Sequence, residues 1–294
     1  MAEGARIDDR TADHAAAGAH AVRRSRWQAA VVCAFLAAAV LVASVPGHGA
    51  PGRVSAQSVD APFTDEELTR GFLLTVFGSE LESDHDSREA RIVKKFTGPV
   101  RYRLVSTARI DWRPSVRDFM RALSDSVRHL ELVEAVPGAN ADMTVYIVDR
   151  ADYAATIRST VWEGVDTGFL EANACSAVLA ARTSGIERAN IYLVGDEGFA
   201  GLSHCMVEEV AQSLGPANDS PLLPASIFND ESHINVFGLF DWFILNMLYD
   251  PRIRPGMTEE DALRVLPDVI ADVRAWMPEA LRDDAARHRR TDGR

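Results

Sequence analysis

The pattern of apolar and polar side chains predicts strands and helices that follow one another along the chain and end in helices. Alternating apolar and polar residues predict strands over residues 99–107, 143–148, 177–181 and 191–194. Apolar residues three and four positions apart predict helices over residues 64–77, 114–130, 151–157, 203–214, 237–249 and 259–276. Thr64 with Glu67, and Thr258 with Asp261, have the spacing of a helix-capping box.

This order of elements predicts a single α/β domain of the α+β type over residues 62–280. A mixed sheet is expected to precede a helical C-terminal part. No internal repeat and no long interior linker divides this region. Residues 57–61 are expected to form a linker, and residues 281–294 a disordered tail.

An uncharged apolar run, residues 29–45, lies near the N-terminus, and three arginines directly precede it. This is the pattern of an export signal, and Val54-Ser55-Ala56 is typical of a cleavage site. The run also approaches the length that spans a bilayer, so an uncleaved anchor is the alternative. The sequence therefore predicts an exported protein of the periplasm or cell envelope. Membrane contact is expected only through residues 29–45, if they are retained.

The charge of the chain narrows the classes of function. The 294 residues have a formal net charge of −12, and because residues 1–56 hold six arginines and four acids, the remainder carries −14. Neutralising phosphates needs a basic face, so the acidic balance argues against a nucleic-acid binder. Lys94 and Lys95 are the only lysines, a bias that we attribute to base composition rather than to chemistry. No serine-hydrolase elbow, phosphate-binding loop or dinucleotide fingerprint occurs.

Cys175 and Cys205 are the two cysteines outside the apolar run. In an oxidising compartment, a structural disulfide between them is the expected arrangement. Two buried free thiols or two metal ligands are the alternatives, although a separation of thirty residues is unlike the close spacing of a zinc knuckle.

The segment that follows Cys205 resembles the active-site helix of zincins and metzincins with its histidines replaced. In the zinc-peptidase pattern H-E-x-x-H-x-x-G-x-x-H, Glu208 takes the first ligand position and Glu209 that of the catalytic glutamate. Gln212 takes the second ligand position, Gly215 the glycine and Asn218 the third ligand position. The spacing has a physical reason, because residues four apart share one helical face and a glycine lets the chain turn back toward it.

A second stretch, Ser226-Ile227-Phe228, resembles the Met-turn of metzincins, with Phe228 in place of methionine. Together with Phe96–Arg101 and the Glu-Glu core, it is similar to an uncharacterised bacterial exported family, the domain of unknown function 2927. The resemblance covers residues 62–280. The motif residues that it assigns beside the ligand positions are Gly215, Asp219, Ser226, Phe228, Asn229 and Asp230.

The resemblance implies a zincin-like fold whose former ligand positions, Glu208, Gln212 and Asn218, are expected to be empty. Glutamine and asparagine are neutral oxygen donors and poor replacements for imidazole at zinc. No cofactor is therefore expected. A divalent cation, either zinc or calcium held with the help of Asp219, is the alternative. His204, four residues before Glu208, is placed to pair with it.

Three functions remain open at this point. The first is a non-catalytic zincin-like domain of the cell envelope that binds a peptide or protein partner, with Gln212, Asn218 and Asn229 tying down the loop 215–230. The second is an atypical metal-dependent peptidase or other hydrolase in which Glu209 is the general base. The third is a structural envelope protein.

Overall fold

A computed structural model describes residues 63–78, 91–160, 167–224, 226–229 and 236–291, with side chains as far as Trp276. All of them belong to one compact unit, residues 57–294. The elements in chain order are α1 Asp65–Val76, β1 Val100–Ser106, α2 Arg113–Ser126, β2 Leu132–Glu134, β3 Met143–Val148, α3 Arg150–Thr160, α4 Thr167–Ala172, β4 Cys175–Arg182, β5 Gly185–Val194, α5 Phe199–Gln212, α6 Leu239–Tyr249 and α7 Glu259–Thr291.

The strands form one five-stranded sheet in the order β2-β1-β3-β5-β4. The first four strands in this order are parallel to their neighbours, whereas β4 pairs antiparallel with β5 and is irregular between Ala180 and Ala181. The mixed sheet with its helices confirms the predicted α+β class. Because β4 is the last strand in this order, it forms one edge of the sheet.

Different helices cover the two faces of the sheet. Ile191 and Leu193 of β5 belong to a large core with residues of α1, α2, α5, α6 and α7. Tyr192 and Val194 belong to a smaller core with residues of α3 and α4. Alternate residues of a strand point to opposite faces, so the apolar run of β5 is buried on both sides. On the larger side, α5 packs against β4 and β5.

Most of the predicted elements are present, and both capping boxes are confirmed. β2 and α4 were not predicted, because three and six residues are too short to show periodicity. α7 continues to Thr291 rather than ending at 276, and so enters the stretch 281–294 that was expected to be disordered. Alanine, arginine and leucine in this stretch favour a helix.

The predicted signal or anchor at residues 29–45 lies outside the described residues. Within the described ranges, no helix is both long enough and apolar enough to cross a membrane.

A buried segment without regular secondary structure, Ile92–Phe96, runs along the large core. The Val93 amide donates to the Met257 carbonyl at 2.8 Å, and the Gly256 amide donates to the Val93 carbonyl at 3.0 Å. The Ile186 amide donates to the Lys95 carbonyl at 3.0 Å. The segment therefore joins the start of β5 to the turn that precedes α7.

The ammonium group of Lys95 lies at the C-terminal end of α6. Its Nζ atom donates to the carbonyl oxygens of Leu248 and Ile253 at 2.7 Å and to that of Asp250 at 3.2 Å. The last carbonyls of a helix have no partner within the helix, and a cation there also favours the helix dipole. Burial lowers the pKa of Lys95 to about 8, against the opposing effect of the Asp250 charge.

Lys94 has a similar place beside α1, where its Nζ atom donates to the Gly78 carbonyl at 3.0 Å. Both lysines of the chain are buried and contact backbone carbonyls. Their presence therefore has a chemical reason that base composition did not indicate. An ammonium directs three donors toward converging carbonyls, whereas the donors of a guanidinium lie in one plane.

Replacing Lys95 with methionine is expected to lower the free energy of unfolding by at least about 3 kcal/mol, because three buried carbonyl groups lose their donor. Urea denaturation measures the change. Arg121→Met is the control, since this exposed arginine forms only a surface ion pair with Asp118 and should cost less than about 0.5 kcal/mol. Equal stability of the two variants would contradict the role given to Lys95.

Candidate functional site

The predicted site residues of α5 lie on its buried side. Glu208 and Glu209 are each 8% exposed, and Gln212 is 5% exposed. The helical spacing of four places His204, Glu208 and Gln212 in one row. His204 Nε2 lies 3.1 Å from Glu208 Oε2, so the expected pair is present. The row continues beyond the helix, because Gln212 Nε2 donates to both carboxylate oxygens of Asp219 at 3.1 Å.

Gly215 turns the chain so that Asp219 returns to α5. Its φ angle of +134° is one that side-chain-bearing residues rarely adopt. A Cβ atom at this position would overlap the carbonyl oxygen of Lys94 and would also press on Leu248. The glycine predicted from the motif is therefore required both by the turn and by the buried segment that passes beneath it.

Asn218, at the third ligand position, faces α1 rather than Gln212. Its Nδ2 atom donates to the Leu74 carbonyl at 2.6 Å, and its amide donates to the Thr75 carbonyl at 3.2 Å. Asn218 thereby satisfies carbonyls at the end of α1, and it borders an open groove between α1 and α7. The structure thus brings Asp219, not Asn218, to the polar row of α5.

The residues that the resemblance assigns to ligand positions do not fit a zinc ion. Among the described residues, no group of three or more histidine, cysteine, aspartate and glutamate side chains is placed to hold a metal. Glu208 pairs with His204, and Gln212 directs its amide nitrogen, a donor rather than a ligand, at Asp219. Zinc is bound by imidazole, thiolate and carboxylate groups. We therefore derive no chemical step through a metal.

Glu209 is close enough to α3 to influence a buried tyrosine that the sequence did not single out. Burial raises the pKa of Tyr153 to about 12, with the charge of Glu209 acting in the same direction and the hydrogen bond to Ser176 against it. The Tyr153 hydroxyl lies 3.1 Å from Ser176 Oγ, on β4. Tyr153 of α3 thus contacts the edge strand from the side of the smaller core.

A disulfide joins Cys175, the first residue of β4, to Cys205 of α5. This confirms the predicted pairing and excludes the two alternatives. Cys205 precedes Glu208 and Glu209 by three and four residues, so it shares their side of the helix. The bond therefore connects the edge strand directly to the turn of α5 that carries both glutamates.

The segment that resembles the Met-turn is held by a buried carboxylate. Asp241 Oδ1 accepts from Ser226 Oγ at 2.7 Å and from the Ile227 amide at 3.2 Å, while its Oδ2 accepts from the Gly238 amide at 2.9 Å. Ser226 Oγ in turn accepts from the amide of Phe228 at 3.1 Å, and the Phe228 ring is fully buried in the large core. Asp241 therefore connects this turn to the N-terminus of α6.

The remaining motif residues are placed as follows. Asn229 Nδ2 donates to the Leu223 carbonyl at 3.3 Å, which ties the loop to itself. Asp230 lies outside the described residues.

Sequence reasoning missed Asp241, Tyr153 and Ser176. The available signal for Asp241 was a single carboxylate within the apolar helix Phe237–Tyr249.

The outer edge of β4 presents backbone groups of known positions. The Val194 amide donates to the Ala174 carbonyl at 3.0 Å, and the register continues from Cys175 opposite Leu193. Because pairing alternates along an antiparallel ladder, the backbone groups of Cys175, Ala177 and Leu179 point away from β5. Among the strands that the structure describes, none pairs with β4 on this side.

Comparison with known proteins places this arrangement in a family. The sequence profile of DUF2927, a protein of unknown function, matches residues 65–268. The chain belongs to the DUF2927 family. No curated protein matches it. The matched range runs from α1 into α7, so the DUF2927 domain includes the whole sheet and the candidate site.

Gly215→Ala is expected to destabilise the protein by about 2–5 kcal/mol, because the new methyl group combines backbone strain with overlap against Lys94. Gly201→Ala, within α5, is the matched control. Gly201 is exposed with no neighbour near its Cβ position, so alanine there should stabilise the helix by up to about 1 kcal/mol. Thermal and urea melts measure both changes, and a tolerated alanine at 215 would refute the close approach.

The stability of the protein should also depend on pH through Asp241. Burial raises the pKa of Asp241 to about 6 from 3.8, although hydrogen bonds from Ser226 and from three backbone amides oppose the shift. In the window between these values the folded state holds the proton more tightly than the unfolded state, so this contribution to stability grows as the pH falls.

Wild type should therefore gain up to about 3 kcal/mol in free energy of unfolding relative to Asp241→Asn as the pH falls from 7.5 to 4. Urea denaturation of both proteins at each pH gives the difference, in which titrations common to both cancel. A difference that stays constant, or that shrinks toward low pH, would rule out a raised pKa for Asp241.

Proposed function

We propose that this DUF2927 domain is a non-catalytic, zincin-like binding module of the cell envelope. Its partner is a peptide or an extended segment of a protein that adds as a strand to the outer edge of β4. The observation that carries the proposal is this edge, which is uncharged from Cys175 to Ala181 and lies beside α5. Strand addition supplies affinity through backbone hydrogen bonds and specificity through alternate side chains.

The zincin-like character is supported by spacing and position. Glu208, Gln212 and Gly215 keep the intervals of a zinc-peptidase helix, and that helix packs against the edge strand. What supports binding rather than hydrolysis is the use of the polar groups. The amide of Gln212 and the carboxylate of Asp219 satisfy each other, and His204 pairs with Glu208.

Export is supported by two independent features. The apolar run 29–45 follows arginines, as export signals do. The disulfide between Cys175 and Cys205 belongs to a class of bond that persists in oxidising compartments and is rare in the cytosol. The periplasm or cell envelope therefore fits both features.

One observation favours a second candidate, a hydrolase with Glu209 as general base. Glu209 occupies the position of the catalytic glutamate and lies in the region where α5 meets the edge strand, where a bound peptide would pass. Peptide hydrolysis by the purified chain with stoichiometric zinc, abolished by Glu209→Gln, would replace the binding proposal with this one.

The binding proposal is tested by selecting peptides from a random displayed library against the full chain and measuring the affinity of a synthetic binder by calorimetry. Ala177→Pro removes an outward-pointing N–H and leaves the bonds to β5 in place, so affinity should fall at least about tenfold. Ala177→Val retains the N–H and should bind within about threefold of wild type.

Two results would overturn the proposal. If no peptide is selected, the domain is better described as a structural envelope protein. If a selected peptide binds Ala177→Pro and Ala177→Val equally well, the peptide does not use the β4 edge.

A further inference from the structure

The edge strand β4 carries no charged side chain before Arg182, its last residue. Residues 172–181 (ANACSAVLAA) contain no charged side chain, although a quarter of the whole sequence is charged. Natural edge strands are commonly protected from pairing by charges, prolines or bulges. In β4 the only such irregularity comes late, between Ala180 and Ala181, so the edge is regular from Cys175 to Leu179.

This regular stretch is self-complementary. Its outward-pointing groups belong to Cys175, Ala177 and Leu179, which are placed symmetrically about Ala177. When two copies of the strand meet antiparallel, Ala177 lies opposite Ala177 of the other copy and Cys175 lies opposite Leu179. Each of these residue pairs can exchange two backbone hydrogen bonds, so no outward group between the ends is left unpaired.

The charges of the surrounding residues agree with this register. Two copies that each carry a large negative charge repel one another, and repulsion is smallest where neither contributes a charge. Arg182, the first charged residue after this stretch, has its Nε atom 2.8 Å from Glu187 Oε1 of β5 in the same copy. The end of the strand therefore brings no unbalanced charge to the paired strands.

We propose that a second copy of this chain occupies the β4 edge, joining two five-stranded sheets into one through an antiparallel β4–β4 pair centred on Ala177. The contact is of isologous, two-fold type. A pair of short strands buries less surface than a stable dimer requires, so the association is weak, with a dissociation constant on the order of 10–1,000 µM. Self-association and partner binding exclude each other, and this last point alone rests on the proposed function.

The test uses the fact that residue 177 faces itself across the two-fold axis. The full chain is studied by sedimentation velocity from about 1 µM to about 1 mM. Wild type and Ala177→Val should dimerise with rising concentration. Ala177→Glu and Ala177→Lys should each weaken the dimer at least about tenfold, because like charges lie directly opposite. An equimolar mixture of the two charged variants should restore the dimer.

Three results would overturn the proposal. The first is a wild type that remains monomeric at every concentration. The second is a dimer that survives all changes at Ala177, which is the result expected if the chains associate through residues 29–45. The third is a mixture of the two charged variants that does not restore the dimer. If a charged variant does not fold, as judged by its thermal melt, Ala177→Pro against Ala177→Val decides the question in the same way.

A final arm separates this proposal from the proposed function. A selected peptide should dissociate the wild-type dimer. If the mixture of charged variants restores the dimer but no peptide binds, self-association is supported and the binding function is contradicted. If a peptide binds but the wild-type chain stays monomeric, the binding function is supported and self-association is contradicted.

Discussion

The buried segment Ile92–Phe96, which carries the ammonium group of Lys95, is the constraint on which the other parts of the domain depend. Lys95 donates to three carbonyls at the end of α6, and its own carbonyl accepts from the start of β5. Gly215 packs on the adjacent Lys94 carbonyl, so the turn after α5 is positioned by the same five residues. The sheet, the site helix and the C-terminal helices therefore meet at a single extended segment.

The polar groups of the candidate site stabilise the fold. Glutamine and aspartate at 212 and 219 satisfy each other, and Asn218 serves the end of α1. A buried polar group is costly unless it has a hydrogen-bond partner, and these contacts supply such partners. The Asp241 carboxylate likewise accepts hydrogen bonds from Ser226 and Ile227, which stabilises the turn at Phe228.

The edge strand is the surface that we propose for recognition. The disulfide and the packing of α5 hold β4 in position. Among the described strands, none pairs with its outer backbone groups. A strand that is already ordered before binding reduces the conformational entropy lost when a segment pairs with it. In both proposals, the partner or the second copy would bind through a ladder of backbone hydrogen bonds along this edge.

The sequence by itself determined the fold class, the longer elements, both capping boxes, the disulfide pair and the family, because each depends on local spacing or on residue chemistry. It also indicated the polar row from Glu208 to Gln212, which follows from helical periodicity alone. Only the tertiary structure decided that Asp219 rather than Asn218 reaches Gln212, that both lysines are buried against carbonyls, and that Asp241 holds the turn at Phe228. These contacts join residues that local periodicity does not relate. Their partners are mostly backbone carbonyls and amides, which every residue carries and no sequence pattern marks.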